Sequence, residues 1–367
     1  MKEPIRVLHV CQRMEAAGIQ SFLMNMYRNI DRTKVQFDFL VHYKEEQFYD
    51  DEIEKMGGHI YKFSVREDYN IFKYIKELRV FFEEHTEYRI IHAHMDTLGA
   101  FYLKSAKRAN IKVRIAHAHS ASVQNGIKKA PRLFMISRYK KYANQLFACS
   151  EKAGEFMFPN EQYHIINNAI DTKKFKYNQD IREKKREELC VNEKFVIGHV
   201  GRFCVEKNQI FLLQIMKEII KIREDAILLL IGSGEDEKKI NEFIDNNEMR
   251  EYVKMLGNRG DINELCQAMD IFTLPSIYEG LPLAGIEAQA SGLPCIFSDT
   301  ITPKADVTGN VEFLSLEEST YNWAKCIINK FENHNRENVE ELIQKAGYSA
   351  QVEAEKLQKK YLSLIEV

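Results

Sequence analysis

The sequence predicts an α/β protein of two domains, each a parallel sheet covered by helices. Three observations carry the prediction. Short β-branched or apolar runs alternate with amphipathic helical stretches from end to end, the pattern of strand–helix–strand crossovers. The chain has 367 residues, more than a single hydrophobic core usually fills. The alternation also restarts after a polar break at residues 168–190, where Asp, Lys, Asn and Arg crowd together.

Taken in order, residues 5–10, 37–41, 89–93, 113–116 and 145–149 read as strands of the first domain, with helices at 20–29 and 70–84. After the break, 195–200, 226–231, 252–256, 271–274, 294–298 and 311–314 read as strands. Helices at 209–223, 237–246 and 262–268 connect them, and a helical stretch from 337 to 366 lacks sheet context of its own. The expected domains are therefore 1–170 and 171–345, with 346–367 a helix returning to the first domain and a hinge within 168–190. Open parallel sheets bind ligands at the carboxyl ends of their strands, so the cleft between two such domains is the expected site.

Composition narrows the function classes. Apolar residues make up 45% and charged ones 29%, with 17 Gly and 7 Pro, which excludes collagen-like and largely disordered chains. Lys plus Arg number 52 against 54 Asp plus Glu, a net charge of −2, so nucleic acid is not an expected partner. Residues 1–170 hold 26 basic and 20 acidic side chains, and the remainder 26 and 34. Seven cysteines with no CxxC pair point to reduced thiols in the cytoplasm rather than disulfides or zinc. The short apolar run after the N-terminus is too brief for a signal-peptide core, and no stretch approaches the ~18 apolar residues of a membrane span.

The most informative stretch is Pro275-Ser-Ile-Tyr-Glu279-Gly280-Leu281-Pro-Leu283-Ala284-Gly-Ile-Glu287. A strand ends in a Gly- and Pro-containing turn, a helix starts, and two carboxylates eight positions apart bracket the turn. Free N–H groups at a helix start can hold an anion, and a carboxylate inside the helix can accept two hydrogen bonds from vicinal hydroxyls. Arg202 and Lys207 follow an earlier strand in Gly198-His-Val-Gly201-Arg202-Phe-Cys-Val-Glu-Lys207-Asn. A guanidinium and an ammonium five residues apart in one loop can together neutralise a diphosphate leaving group.

The segment from Glu279 to Glu287 closely resembles the Glu-x7-Glu motif of family-4 retaining glycosyltransferases. Ile231-Gly-Ser-Gly234 and Leu256-Gly-Asn258-Arg259-Gly resemble that family's glycine turn and nucleobase-facing loop. Ala17-Gly18 stands where the family usually has a Gly-Gly pair. The resemblance runs along nearly the whole chain, most strongly from Asp38 to Asp299. It implies the GT-B fold, two Rossmann-like domains facing across a cleft, and transfer of a hexose or N-acetylhexosamine from a nucleotide diphosphate sugar, UDP-linked first. It places Glu279 on a donor-hexose hydroxyl, Glu287 on the ribose, Arg202 and Lys207 on the diphosphate. Gly18, Gly201, Asn258, Arg259, Gly280, Leu281, Leu283 and Ala284 line the donor. It also implies front-face attack, in which the departing phosphate takes the acceptor proton and no dedicated base is present.

Two His-Ala-His units, His92–His94 and His117–His119, each follow a predicted strand, with both members on one face. Four imidazoles could ligate zinc. The resemblance needs no metal, and no Asp-x-Asp pair occurs; it sets His119, or failing that His117, beside the donor sugar. Residues 97–150 contain no acidic side chain and eleven basic ones. From Lys128 to Tyr142 the bases interleave with Leu133, Phe134, Met135, Ile136 and Tyr139, the composition of a helix on an anionic membrane. The first half is similar to bacterial exopolysaccharide and capsule glycosyltransferases, which implies a polyprenyl-diphosphate-linked saccharide acceptor and a peripheral place on the inner face of the cell membrane. A GT-B nucleotide-sugar 2-epimerase and a non-enzymatic nucleotide-sugar-binding module are the alternatives. A dinucleotide dehydrogenase is weaker, because no G-x-G-x-x-G follows the first strand.

Overall fold

A computed structural model of the chain describes residues 3–15, 18–94, 96–119 and 129–366. The chain divides into two compact units, one of Met1–Ala169 with Ala350–Val367 and the other of Ile170–Ser349. Among the described residues each unit holds one sheet, and every strand pairing is parallel.

The first sheet contains β1 (Ile5–Val10), β2 (Val35–Val41), β3 (Ile60–Lys62), β4 (Ile90–Ala93), β5 (Val113–Ala118), β6 (Gln145–Ala148) and β7 (His164–Ile165), in the order β3-β2-β1-β4-β5-β6-β7. Chain direction across the sheet reverses between β1 and β4, where open sheets place ligands. Val7 and Cys11 face a core with the helix Gly18–Asn29, while Leu8 and Val10 face a second core with the helix Ile71–Glu84, the two-residue alternation of a covered strand. Both edge strands, β3 and β7, escaped the sequence reading. They are three and two residues long, too short for periodicity to register.

The second sheet contains β8 (Phe195–Val200), β9 (Ala226–Ile231), β10 (Val253–Gly257), β11 (Ile271–Leu274), β12 (Cys295–Ser298) and β13 (Val311–Leu314), in the order β10-β9-β8-β11-β12-β13. Here the reversal falls between β8 and β11. Every sequence motif of the second half leaves the carboxyl end of one of these strands.

One expectation is narrowed and one corrected. Most of the polar break at 168–190 belongs to the second unit, because Thr172–Phe175 and Gln179–Glu188 are its helices. Arg182 and the buried Arg186 reach Asp270, and Arg186 also donates to the Ala268 carbonyl at 2.8 Å. The chain passes between units at 169/170, inside the expected hinge range, and again at 349/350, where Ile170 N donates to the Tyr348 carbonyl at 2.9 Å and bridges to Ser349. Nor is 337–366 one helix. It divides into Glu340–Lys345 and Ala350–Glu366 at Gly347, whose φ of +85° ends a helix without side-chain strain. Ala350, Ala354, Leu357, Tyr361 and Ile365 recur at helical spacing and are buried in the first unit's core with Phe22, Phe37 and Phe147.

Candidate active site

In the second unit the loops after β8 and β11 are tied together. Ile277 N donates to the Glu206 carbonyl at 2.8 Å and Asn208 Nδ2 to the Pro275 carbonyl at 3.1 Å. Across that seam the Lys207 ammonium pairs with Glu279, which also accepts from Ser276 Oγ at 3.1 Å. Ser298 and Thr300 hydroxyls donate to the Ser276 carbonyl at 2.5 and 2.7 Å. Lys207 and Glu279 are 20% and 12% exposed at their side chains, enough shielding to strengthen the pair while leaving it reachable.

The loop after β8 is held from beneath by His199 and Gln209, two buried residues the sequence reading missed. His199 Nδ1 donates to the Thr273 carbonyl at 3.0 Å, so its Nε2 accepts from Gln209 Nε2 at 3.2 Å. The same amide donates to the Arg202 carbonyl at 2.9 Å. Burial pushes His199 down to about 4, which keeps the ring neutral and this arrangement intact at physiological pH. A Cβ on Gly232, whose φ is +133°, would lie 2.1 Å from the Gly201 carbonyl oxygen, and one on Gly234 would lie 2.2 Å from that of Phe203. The glycines therefore let the loops after β8 and β9 nest.

The helix Leu283–Ala290 starts after Pro282 without a side-chain cap, so the Leu283 and Ala284 N–H groups face the turn unspent by helix bonds. Gly280 is exposed, and Leu281 packs on the second unit's core. Glu287, half-buried one turn along, has no hydrogen-bond partner among the described residues, and burial pushes its carboxyl up to about 7. Arg202 stands apart from this cluster. It is 70% exposed and pairs with Glu235 at 2.8 Å. Asn258 is exposed, while Arg259 is turned toward Asp261 at 2.6 Å.

In the first unit Gly18 is exposed at the start of its helix, with no atom within 4 Å of a Cβ built on it. Ala17 and Lys128 lie outside the described residues. The histidines form a buried ladder. His9 Nδ1 lies 3.0 Å from His94 Nε2, and His94 Nδ1 2.9 Å from His119 Nε2. Beside it, Tyr361 Oη lies 2.5 Å from His92 Nδ1, and His92 Nε2 3.0 Å from His117 Nδ1. His9 and Tyr361 were not singled out from sequence; a fifth histidine on the same face as the others was the available signal. Burial pushes His9 and His119 down to about 3, and His92, His94 and His117 well below the usual imidazole range. Two triplets, His9–His92–His94 and His94–His117–His119, have nitrogens within 4.8 Å of one another, close enough to share an ion. The contacts described here are ring-to-ring hydrogen bonds.

Residues 180–346 match the family described as glycosyl transferases group 1. Over 358 residues, 94% of this chain and 93% of the other, the sequence is 36% identical to EpsF, a glycosyltransferase by name, of Bacillus subtilis (strain 168). The chain belongs to the group 1 glycosyltransferases. It is also 28% identical over 226 residues, 58% of each chain, to the Escherichia coli UDP-Gal:alpha-D-GlcNAc-diphosphoundecaprenol alpha-1,3-galactosyltransferase. Anabaena Alr3699/HepE, solved with UDP and glucose, shares its fold at a TM-score of 0.81 and 17% identity, over 98% of this chain and all of that one. The resemblance to bacterial polysaccharide glycosyltransferases read from the motifs is thus borne out, as is the two-domain α/β fold.

The basic stretch of this glycosyltransferase is only partly a surface. In the helix Lys129–Tyr142, Ile136 and Tyr139 are buried in the first unit's core while Leu133 and Phe134 are 42% and 57% exposed. Among the bases, Arg114 donates to the Tyr142 and Ile111 carbonyls and Lys112 to that of Ile365, and Lys140 pairs with Glu161 at 2.7 Å. Lys104, Lys107, Arg108 and Lys141 stay exposed. No described helix is long and apolar enough to cross a membrane.

Proposed function

We propose that this glycosyltransferase is a retaining, metal-independent enzyme. In this reading it moves a hexose or N-acetylhexosamine from a UDP-sugar to a saccharide carried on polyprenyl diphosphate, at an anionic membrane surface, in exopolysaccharide or capsule assembly. The observation that carries the reading is the Lys207–Glu279 pair set beside the uncapped start of the Leu283–Ala290 helix. An incoming diphosphate competes for the ammonium and frees Glu279 to accept from a sugar hydroxyl. Leu283 and Ala284 N–H groups add the positive end of a helix, and Arg202 swings from Glu235. Glu287, without a partner of its own, accepts from the ribose hydroxyls, with Asn258 and Arg259 near the base. These groups supply the charge neutralisation that a metal gives elsewhere, and the leaving phosphate takes the acceptor proton. The names of the similar proteins, a UDP-galactose-dependent transferase onto a diphosphoundecaprenol-linked sugar and capsular enzymes, support the donor and acceptor classes.

The test is thermal denaturation with EDTA against UDP, GDP, ADP and their sugars. A clear stabilisation by UDP and a larger one by a single UDP-sugar is expected. Absence of any shift overturns the donor site, and stabilisation only when a divalent ion is restored overturns metal independence. The anomeric configuration of the product, read by NMR, decides retention.

A further inference from the structure

The loop after β8 carries two cations, each matched to a carboxylate from a neighbouring loop, and the two pairs differ in kind. Lys207 and Glu279 are 20% and 12% exposed at their side chains, and in the reading above a diphosphate sugar gives each of them a new partner. Arg202 and Glu235 are 70% and 54% exposed. Arg202 Nε and Nη2 lie 3.0 and 2.8 Å from a single oxygen, Glu235 Oε2. Among the described residues no other carboxylate comes within ion-pair distance of Arg202.

The backbone puts Glu235 there. Phe203 N donates to the Ser233 carbonyl at 2.9 Å and Asp236 N to the Phe203 carbonyl at 3.1 Å, so the turn after β9 is stitched to the neighbour of Arg202 on both sides of Glu235. Asp236 is engaged elsewhere, its carboxylate paired with Lys239 at 2.6 Å. A further acid, Glu206, has its carboxyl lowered by its own backbone N–H and the Cys204 thiol and, more weakly, by the Arg202 charge, without forming an ion pair with it. A carboxylate on a guanidinium occupies N–H groups that a phosphate would take. An anion that reaches Arg202 must therefore displace Glu235. Being more than half exposed, the displaced carboxylate returns to water at little cost, so the exchange is shallow and reversible.

We propose that Glu235 is a built-in competitor for phosphate oxyanions at Arg202, opening for the nucleotide sugar and closing as the nucleoside diphosphate leaves, so that the product binds more weakly and departs faster than the two cations alone would allow. The inference rests on the reading that Arg202 and Lys207 hold the diphosphate. It adds a residue whose charge opposes binding, which no substitution of the cations would reveal.

Calorimetric titration of the full-length protein with UDP, in EDTA, tests it. Glu235→Gln keeps the shape and removes the charge. It is expected to bind UDP about fivefold more tightly at about 50 mM salt, chiefly through slower dissociation, and the gain should shrink below about twofold at about 0.5 M salt, as for an exposed pair. A gain in affinity is not what damage to the fold produces. Glu206→Gln, which removes an equal but unpaired charge, should shift the affinity less than twofold. In an Arg202→Ala background Glu235→Gln should also shift it less than twofold, because the group competed for is gone. Unchanged or weaker UDP binding by Glu235→Gln, an equal gain in Glu206→Gln, or a gain that survives Arg202→Ala each overturns the competitor role while wild-type UDP binding leaves the donor reading standing. Absence of UDP binding by the wild type overturns the donor reading, and the competitor role with it.

Discussion

Lys207 and Glu279, seventy-two positions apart, form one ion pair that joins the loops after β8 and β11. The pair sits where the second sheet reverses its chain order, so neither loop alone makes the site. In the proposed reading each residue has a different task once a diphosphate sugar arrives, and the two substitutions should differ in their effects. Lys207→Ala is expected to lower kcat by a hundredfold or more, the scale for removing one group that stabilises developing charge. Glu279→Gln should lower kcat comparably while leaving UDP affinity within a fewfold, because its proposed partner is the sugar. Steady-state kinetics with UDP inhibition constants check both. Wild-type turnover in either variant contradicts the assignment.

Glu287 predicts a conflict between stability and binding. Burial raises its carboxyl from 4.5 to about 7, so between those values the folded state holds a proton that the unfolded chain has lost. Stability from this group is therefore present at low pH and falls as pH rises from 4.5 toward 7. In the proposed reading nucleotide binding uses the ionised form and should rise over the upper part of that window. Glu287→Gln is accordingly expected to be more stable than the wild type at pH 8, by on the order of 1 kcal/mol or a few degrees in Tm, yet to lose most of its UDP affinity. Paired melting curves at pH 5 and pH 8 with and without UDP read both effects.

Strand and helix positions in the second unit were legible because its buried strands, such as Ala226–Ile231, are uninterrupted apolar runs between turn signals. The motif loops followed from the same pattern, since each starts where a strand stops. What stayed hidden was long-range and local at once. The tie from Gln209 to His199 and the Arg202 carbonyl gives no periodic signal, because a buried glutamine at a helix start reads as an exposed one. Arg182 and Arg186 contributed to the polar break read at 168–190, although their partner Asp270 lies more than eighty residues on. The break at Gly347 was likewise masked by good helix formers on both sides.

The Gln209 tie carries its own prediction. Gln209→Leu removes the donor to both His199 Nε2 and the Arg202 carbonyl, leaving two buried acceptors unpaired at about 1–3 kcal/mol each. The loop bearing Arg202 and Lys207 then loses its support, and kcat should fall roughly tenfold or more. Gln209→Glu, which keeps the shape but exchanges a donor for an acceptor, should be at least as poor. If both variants turn over like the wild type, the loop is held by other contacts.

The last prediction concerns the surface of the first unit. Leu133 and Phe134 point outward on the helix Lys129–Tyr142, and Arg138 lies over the Phe134 ring at 4.9 Å. Lys104, Lys107, Arg108 and Lys141 remain unburied nearby in sequence. Each such cation adds about 1 kcal/mol at an anionic bilayer within a Debye length, and buried apolar side chains add to it. Leu133→Ser with Phe134→Ser, or Lys107→Glu with Lys141→Glu, should reduce flotation with phosphatidylglycerol-containing vesicles roughly tenfold, with little change in UDP binding. The charge variant should respond to salt and the apolar one should not. Equal flotation of all three proteins would assign the basic stretch to ordinary solvation of a domain face, with membrane access left to another surface.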